Sequence, residues 1–111
     1  MGSCAHALGG SLYEEWAYDE NGQCLTASFQ DYLVPTAKEV PKIDIGHVET
    51  PSPFTALGSK GAGEGSTMSV PAALGNSIAD ALAPLGVTIN ELPLSPNKIW
   101  QLIQEAKSNN G

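Results

Sequence analysis

Apolar positions recur at three- and four-residue steps from Cys4 to Trp16, at Ala5, Leu8, Leu12 and Trp16, which predicts an amphipathic helix weakened by Gly9 and Gly10. After the turn at Glu20, Asn21 and Gly22, the residues Leu25, Ala27 and Phe29 alternate with Thr26, Ser28 and Gln30. That period of two predicts a half-buried strand running toward Val34 before Pro35. Ile43, Ile45 and His47 alternate with Asp44, Gly46 and Val48 in a weaker strand that Pro51 must end. A long Pro- and Gly-rich loop follows, up to Thr67. Ser69 as N-cap and Pro71 in the first turn then open a helix whose inward stripe is Ala73, Leu74, Ser77, Ile78, Ala81 and Leu82, stopped by Pro84 and Gly86. Val87 to Leu92 suits a short strand. Ser95 and Pro96 open a last helix with Ile99, Leu102, Ile103 and Ala106 on one face, and Ser108 to Gly111 are expected to fray. The order predicts an α+β fold, a small mixed sheet with about three helices, in a single domain over 1–107 with a frayed tail at 108–111.

Charge and composition narrow the partners. The 111 residues hold twelve Asp and Glu against five Lys and Arg, a net charge of -7 that repels nucleic acid and anionic membrane. No stretch approaches the length of a membrane span, and the N-terminus lacks a signal-peptide pattern, so a cytoplasmic chain is expected. Cys4 and Cys24 make no disulfide framework and are expected as reduced thiols. With His6 and His47 they offer no zinc spacing, so no metal site is assigned to the chain's own side chains. Glu14 and Glu15 are adjacent on a helix end and point about 100° apart, which suits solubility more than paired acid–base work.

The unusual stretch is GSKGAGEGST, Gly58 to Thr67, with four glycines around one acid, Glu64. A Gly-rich loop entering a helix N-terminus is a familiar anion site. Here the details oppose a nucleotide. Gly65, not Lys, precedes Ser66, and Ser66 stands where a dinucleotide fingerprint needs its third glycine. A carboxylate beside a phosphate is also unfavourable. Glu64 suits a general base, held where backbone approaches a flat ligand and water is shielded. The plainer alternative is a solvated loop with a surface acid.

The stretch ETPSPFTALGSKGAGEGSTMSVPAALGNSIADAL, Glu49 to Leu82, resembles the C-terminal region of the large subunit of molybdenum hydroxylases, the family of xanthine dehydrogenase, aldehyde oxidase and aerobic carbon monoxide dehydrogenase. Leu12 to Ala37 upstream and GVTINELPLSPNKIW downstream extend the likeness over nearly the whole chain. The resemblance implies the end of a molybdopterin-binding domain, with Glu64 as the base that takes a proton from a metal-bound hydroxyl during oxidative hydroxylation of an aldehyde, heterocycle or similar substrate. It implies cofactor contact at Lys60, Gly61, Gly63, Gly65 and Ser66, with Thr67 alongside. In the first helix such proteins usually read G-G-x-x-Q-G, whereas this chain reads Gly2, Ser3, Cys4, Ala5, His6, Ala7, so His6 stands in the place of the cofactor-side Gln.

The same resemblance implies that most of a large subunit lies elsewhere. Molybdopterin is expected only in a complete assembly, none on the isolated chain, which is expected to be inactive. The expected partners are the remaining large-subunit segments and iron–sulfur and flavin subunits. The alternative is a stand-alone remnant, a non-catalytic structural or interaction protein that covers its apolar faces as a homo-oligomer.

Overall fold

The computed structural model describes residues 1–109, and its elements are all helical. Helix α1 spans Gly2–Leu12, α2 spans Val70–Leu82 with a 3-10 turn at Ala83–Leu85 behind it, and α3 spans Pro96–Asn109. The expected mixed sheet is absent among the described residues. The sole β feature there is an isolated antiparallel bridge between Tyr18 and Cys24, closed by Asp19 N–H to Gln23 O at 3.0 Å and Leu25 N–H to Ala17 O at 2.8 Å.

Each missing strand has a local cause. The strand expected from Leu25 toward Val34 is interrupted at Ser28. Its carbonyl accepts N–H bonds from Asp31 at 3.0 Å and Tyr32 at 2.7 Å, and its hydroxyl accepts the Gln30 N–H at 3.3 Å and donates to Asp31 at 3.1 Å. Ser side chains compete in this way with ladder bonds, and the chain turns instead of extending. Ile43 to Val48 and Val87 to Leu92 find no partner strand within the described residues, and a strand without a neighbour has no ladder.

α1 is shorter than the apolar period suggests. It ends at Leu12 because the Tyr13 and Glu14 N–H groups both converge on Gly9 O at 2.9 Å, which closes the last turn early and leaves Trp16 outside the helix, 65% exposed. The inner face is made of small residues. Ala7, Gly9 and Ser11 are buried, while Leu8 and Leu12 are half-buried. Ser11 donates to Ala7 O at 2.6 Å, and Leu94 N–H donates to Ser11 O at 2.7 Å, which ties the fully buried Leu94 to the end of α1.

Gly9 has a packing reason to be Gly. A Cβ there would collide with the Glu14 carboxylate and stand 2.9 Å from Pro35 Cδ. The same Glu14 accepts the Tyr32 phenol at 2.7 Å, an interaction that raises the Tyr32 pKa above its usual range. Tyr32 in turn lies against Trp16, with ring centroids 5.2 Å apart. Glu14 is therefore a buckle between α1 and the turn at Ser28 to Tyr32.

Helices α2 and α3 start by different devices. Ser69 sits at the N-cap of α2 without capping it, since its hydroxyl turns back to Ser66 O at 3.1 Å. Ser95 does cap α3, accepting the Lys98 N–H at 3.2 Å, with Pro96 at the first helical position. Lys98 also pairs with Glu91, which raises the lysine pKa and lowers that of the acid. α2 packs on α1, with Leu74, Ile78 and Leu82 half-buried, while Ala73, Ser77 and Ala81 of the expected stripe are exposed. Gly86, in left-handed backbone with φ 73°, closes the turn after α2. Of the expected frayed tail, Ser108 and Asn109 continue α3; positions 110–111 lie outside the described residues.

Candidate functional site

The first turns of α1 meet the Gly-rich loop, which lies sixty residues further along the chain. Ser3 Oγ donates to Gly63 O at 3.4 Å, and His6 Nδ1 stands 3.9 Å from Glu64 Oε1. Ser3 and His6 are three residues apart and share a helix face, which is why both reach the loop. The structure thus brings together His6, Gly63 and Glu64 from the sequence expectations and adds Ser3. The signal for Ser3 was present as its i, i+3 spacing to His6, but only contact with the loop gives it a role.

The loop itself is held by short-range bonds. Thr67 N–H donates to Glu64 O at 2.9 Å, a turn that reverses the chain just ahead of α2. Lys60, which the resemblance places at the cofactor, donates to Thr50 Oγ1 at 2.7 Å. Glu64 is exposed by 79% and His6 by 60%, so the shielding expected around the acid is not supplied by this chain. An ion pair that exposed contributes little to stability.

The glycines divide into two kinds. Gly58 adopts φ 66°, and a Cβ there would stand 2.7 Å from Pro51 Cβ, so the chain's own fold requires it. Gly61, Gly63 and Gly65 are different. None has left-handed backbone, and a Cβ on any of them would meet nothing within 4 Å. A requirement for glycine at those three positions therefore does not arise from contacts inside this chain. A second sign is Thr67 Oγ1, a buried hydroxyl with no hydrogen-bond partner. Buried polar groups are normally paired, so this one is a donor and acceptor held in reserve beside the loop.

Comparison with known proteins decides the family. Residues 1–41 match the molybdopterin cofactor-binding domain family. The chain is 45% identical over 98 residues to the nicotine 6-hydroxylase large subunit of Paenarthrobacter nicotinovorans, covering 88% of this chain and 12% of that protein. It is 33% identical over 101 residues to a putative xanthine dehydrogenase molybdenum-binding subunit of Escherichia coli K12, covering 90% of this chain and 13% of that one. Its backbone superposes on the crystal structure of quinoline 2-oxidoreductase from Pseudomonas putida 86 with a TM-score of 0.87 and 47% identity, over 94% of this chain and 13% of the other. The chain belongs to the molybdenum hydroxylase large subunits.

It spans about one-eighth of the length of the relatives it matches. Both curated relatives are named as subunits. The residues present fit a molybdopterin in two respects: an open run of glycine backbone and the unpaired Thr67 hydroxyl beside it. Among the described residues no three His, Cys, Asp or Glu side chains gather as a metal site, and no helix is long and apolar enough to cross a membrane.

Proposed function

We propose that this chain forms one wall of the molybdopterin site of a molybdenum hydroxylase, with Glu64 as the catalytic base. The observation that supports this most directly is the junction of the first α1 turns with the Gly-rich loop, which sets Glu64 beside glycine backbone that nothing else in the chain occupies. Molybdopterin and its metal supply the two-electron redox chemistry when bound. This chain's residues bind, orient and move a proton. Glu64 accepts the proton, since its carboxylate stands clear of neighbouring donors except His6. His6, in the place of the usual Gln, stands 3.9 Å from Glu64 and bears on it by charge when protonated. Ser3 holds the Gly63 carbonyl, and the Thr67 hydroxyl and the amides of Gly61, Gly63, Gly65 and Ser66 are the groups that would hold the pterin. Lys60 serves this indirectly, by fixing the loop that precedes the glycines.

The remaining large-subunit segments enclose the site, and iron–sulfur and flavin subunits take up the electrons. Two of the similar proteins bear the names of nitrogen heterocycles, nicotine and quinoline, which favours a heterocycle over an aldehyde as substrate class. In the assembled enzyme, Glu64→Gln should lower kcat by about a hundredfold to ten-thousandfold, the usual worth of a positioned base, while molybdenum per large subunit stays at the wild-type value. Turnover within a few fold of wild type in metal-replete Glu64→Gln would refute the assignment.

A further inference from the structure

The segment from Thr50 to Lys60, just ahead of the glycines, is neither helix nor strand, yet it is braced from inside. Ser52 N–H donates to Gly58 O at 2.9 Å, and Gly58 N–H returns to Thr55 O at 3.1 Å. Thr55 Oγ1 donates to Ser59 O at 3.0 Å, Phe54 N–H donates to Ser52 Oγ at 3.2 Å, and Lys60 Nζ closes the neck on Thr50 Oγ1 at 2.7 Å. Pro51 and Pro53 restrict the backbone further, and Pro51 packs on Gly58 so closely that no other residue fits there. This bracing holds up two apolar side chains that touch almost nothing. Phe54 is 94% exposed and Leu57 92% exposed.

A rigid loop with an aromatic and an aliphatic residue at its tip has the physical character of a docking anchor. Fixing the backbone beforehand removes the ordering cost of binding, and large apolar side chains seated in pockets dominate the energy of most interfaces. Water alone does not call for such a loop, because its tip would be more soluble with polar residues. We infer that Phe54 and Leu57 form a preorganised plug that seats in an apolar recess on the remaining large-subunit segments, whether on the same polypeptide or a companion chain. This occupant rests on the assembly proposed above. It is favoured because similar large subunits are about eight times longer than this chain, so the matching proteins provide far more surface than the chain itself does. The seat is uncharged, since between Thr50 and Lys60 the only charged side chain is Lys60, and it is bound internally.

Ala56 lies exposed between the two anchors and makes a mild reporter as Ala56→Cys. In the assembled complex, alkylation of that cysteine by iodoacetamide, followed on its peptide by mass spectrometry, should be about tenfold or more slower than in the denatured complex. Adding Phe54→Ser should restore most of the fast rate, and Phe54→Leu, which keeps an apolar anchor, should restore little. A reporter that reacts within a few fold of the denatured rate overturns the inference, as does protection that Phe54→Ser leaves untouched. Protection that fades on dilution together with a halving of mass in sedimentation would show a second copy as the occupant and overturn the assignment to the large subunit. The readout is independent of turnover. A protected reporter alongside active Glu64→Gln sinks the base and spares the plug, and the converse pair does the opposite.

Discussion

At the scale of single residues, the chemistry rests on what Glu64 and its glycines do not do inside the chain. Gly58 is explained by its own φ and by Pro51, whereas Gly61, Gly63 and Gly65 have free space around them. The GSKGAGEGST spacing was enough to oppose a nucleotide, because spacing rules depend only on sequence, but it left Glu64 open between a base and a surface acid until the family resemblance was added. The contact of Glu64 with His6 could not be foreseen from spacing, since it depends on where α1 lies in space. Lys60, placed at the cofactor by the resemblance, is bonded to a threonine ten residues upstream, a partner that spacing alone does not reveal.

Another acid carries a residue-scale prediction. Glu39 accepts both the hydroxyl and, at 2.8 Å, the N–H of Thr36, and these bonds lower its pKa below the usual carboxylate range. A depressed carboxylate contributes stability above its unfolded pKa and loses it as pH falls through the folded one. The Thr36–Val40 turn should therefore hold at neutral pH and open below about pH 4. Amide exchange at Thr36 and Val40, compared between wild type and Glu39→Gln, checks this. The protection gap between the two should shrink in acid, and a pH-independent gap would contradict it.

At the scale of elements, helices were legible and strands were not. Helices α2 and α3 satisfy their hydrogen bonds internally, so apolar period, proline and glycine locate them without knowledge of anything else in the molecule. A strand's bonds belong to a neighbour. The alternations at Leu25–Phe29 and Ile43–Val48 record sides, but they do not say what lies alongside, and Ser28 turns the first of them with its own hydroxyl and carbonyl. Capping was legible in residue type but not in direction. Ser95 caps α3 through the Lys98 N–H, and Ser69 turns away from α2. Ser95→Ala should accordingly weaken its helix start by about 1 kcal/mol, and Ser69→Ala should weaken its own by distinctly less. Hydrogen exchange at Lys98 and Ile99, set against the first amides of α2, reads the contrast; equal loosening at both starts would contradict it.

At the scale of the whole molecule, the chain is too open to bury its own apolar surface. Its radius of gyration is 18.3 Å, against about 13 Å for a compact chain of roughly 100 residues. Among the described residues only Ala7, Val87 and Leu94 form the buried apolar core, while Phe29, Val48, Phe54, Leu57 and Met68 are all at least 80% exposed. A shape of this kind is stable when other protein covers it, which agrees with a chain that matches a small part of much longer subunits. On the proposed function, the enclosure that would tune Glu64 belongs to the assembly, in keeping with the exposure of the acid in this chain.

The central claim is that the three free glycines of the loop are kept for close approach of the pterin, and Gly63→Ala in the assembled enzyme tests it. A methyl group at that position meets nothing within this chain, so its effect reports on what lies beyond. The quantity to measure is molybdenum and pterin bound per large subunit after purification of the variant and wild type in parallel. The account predicts a fully assembled Gly63→Ala enzyme with cofactor content reduced to a minor fraction; wild-type cofactor content together with wild-type turnover would contradict it.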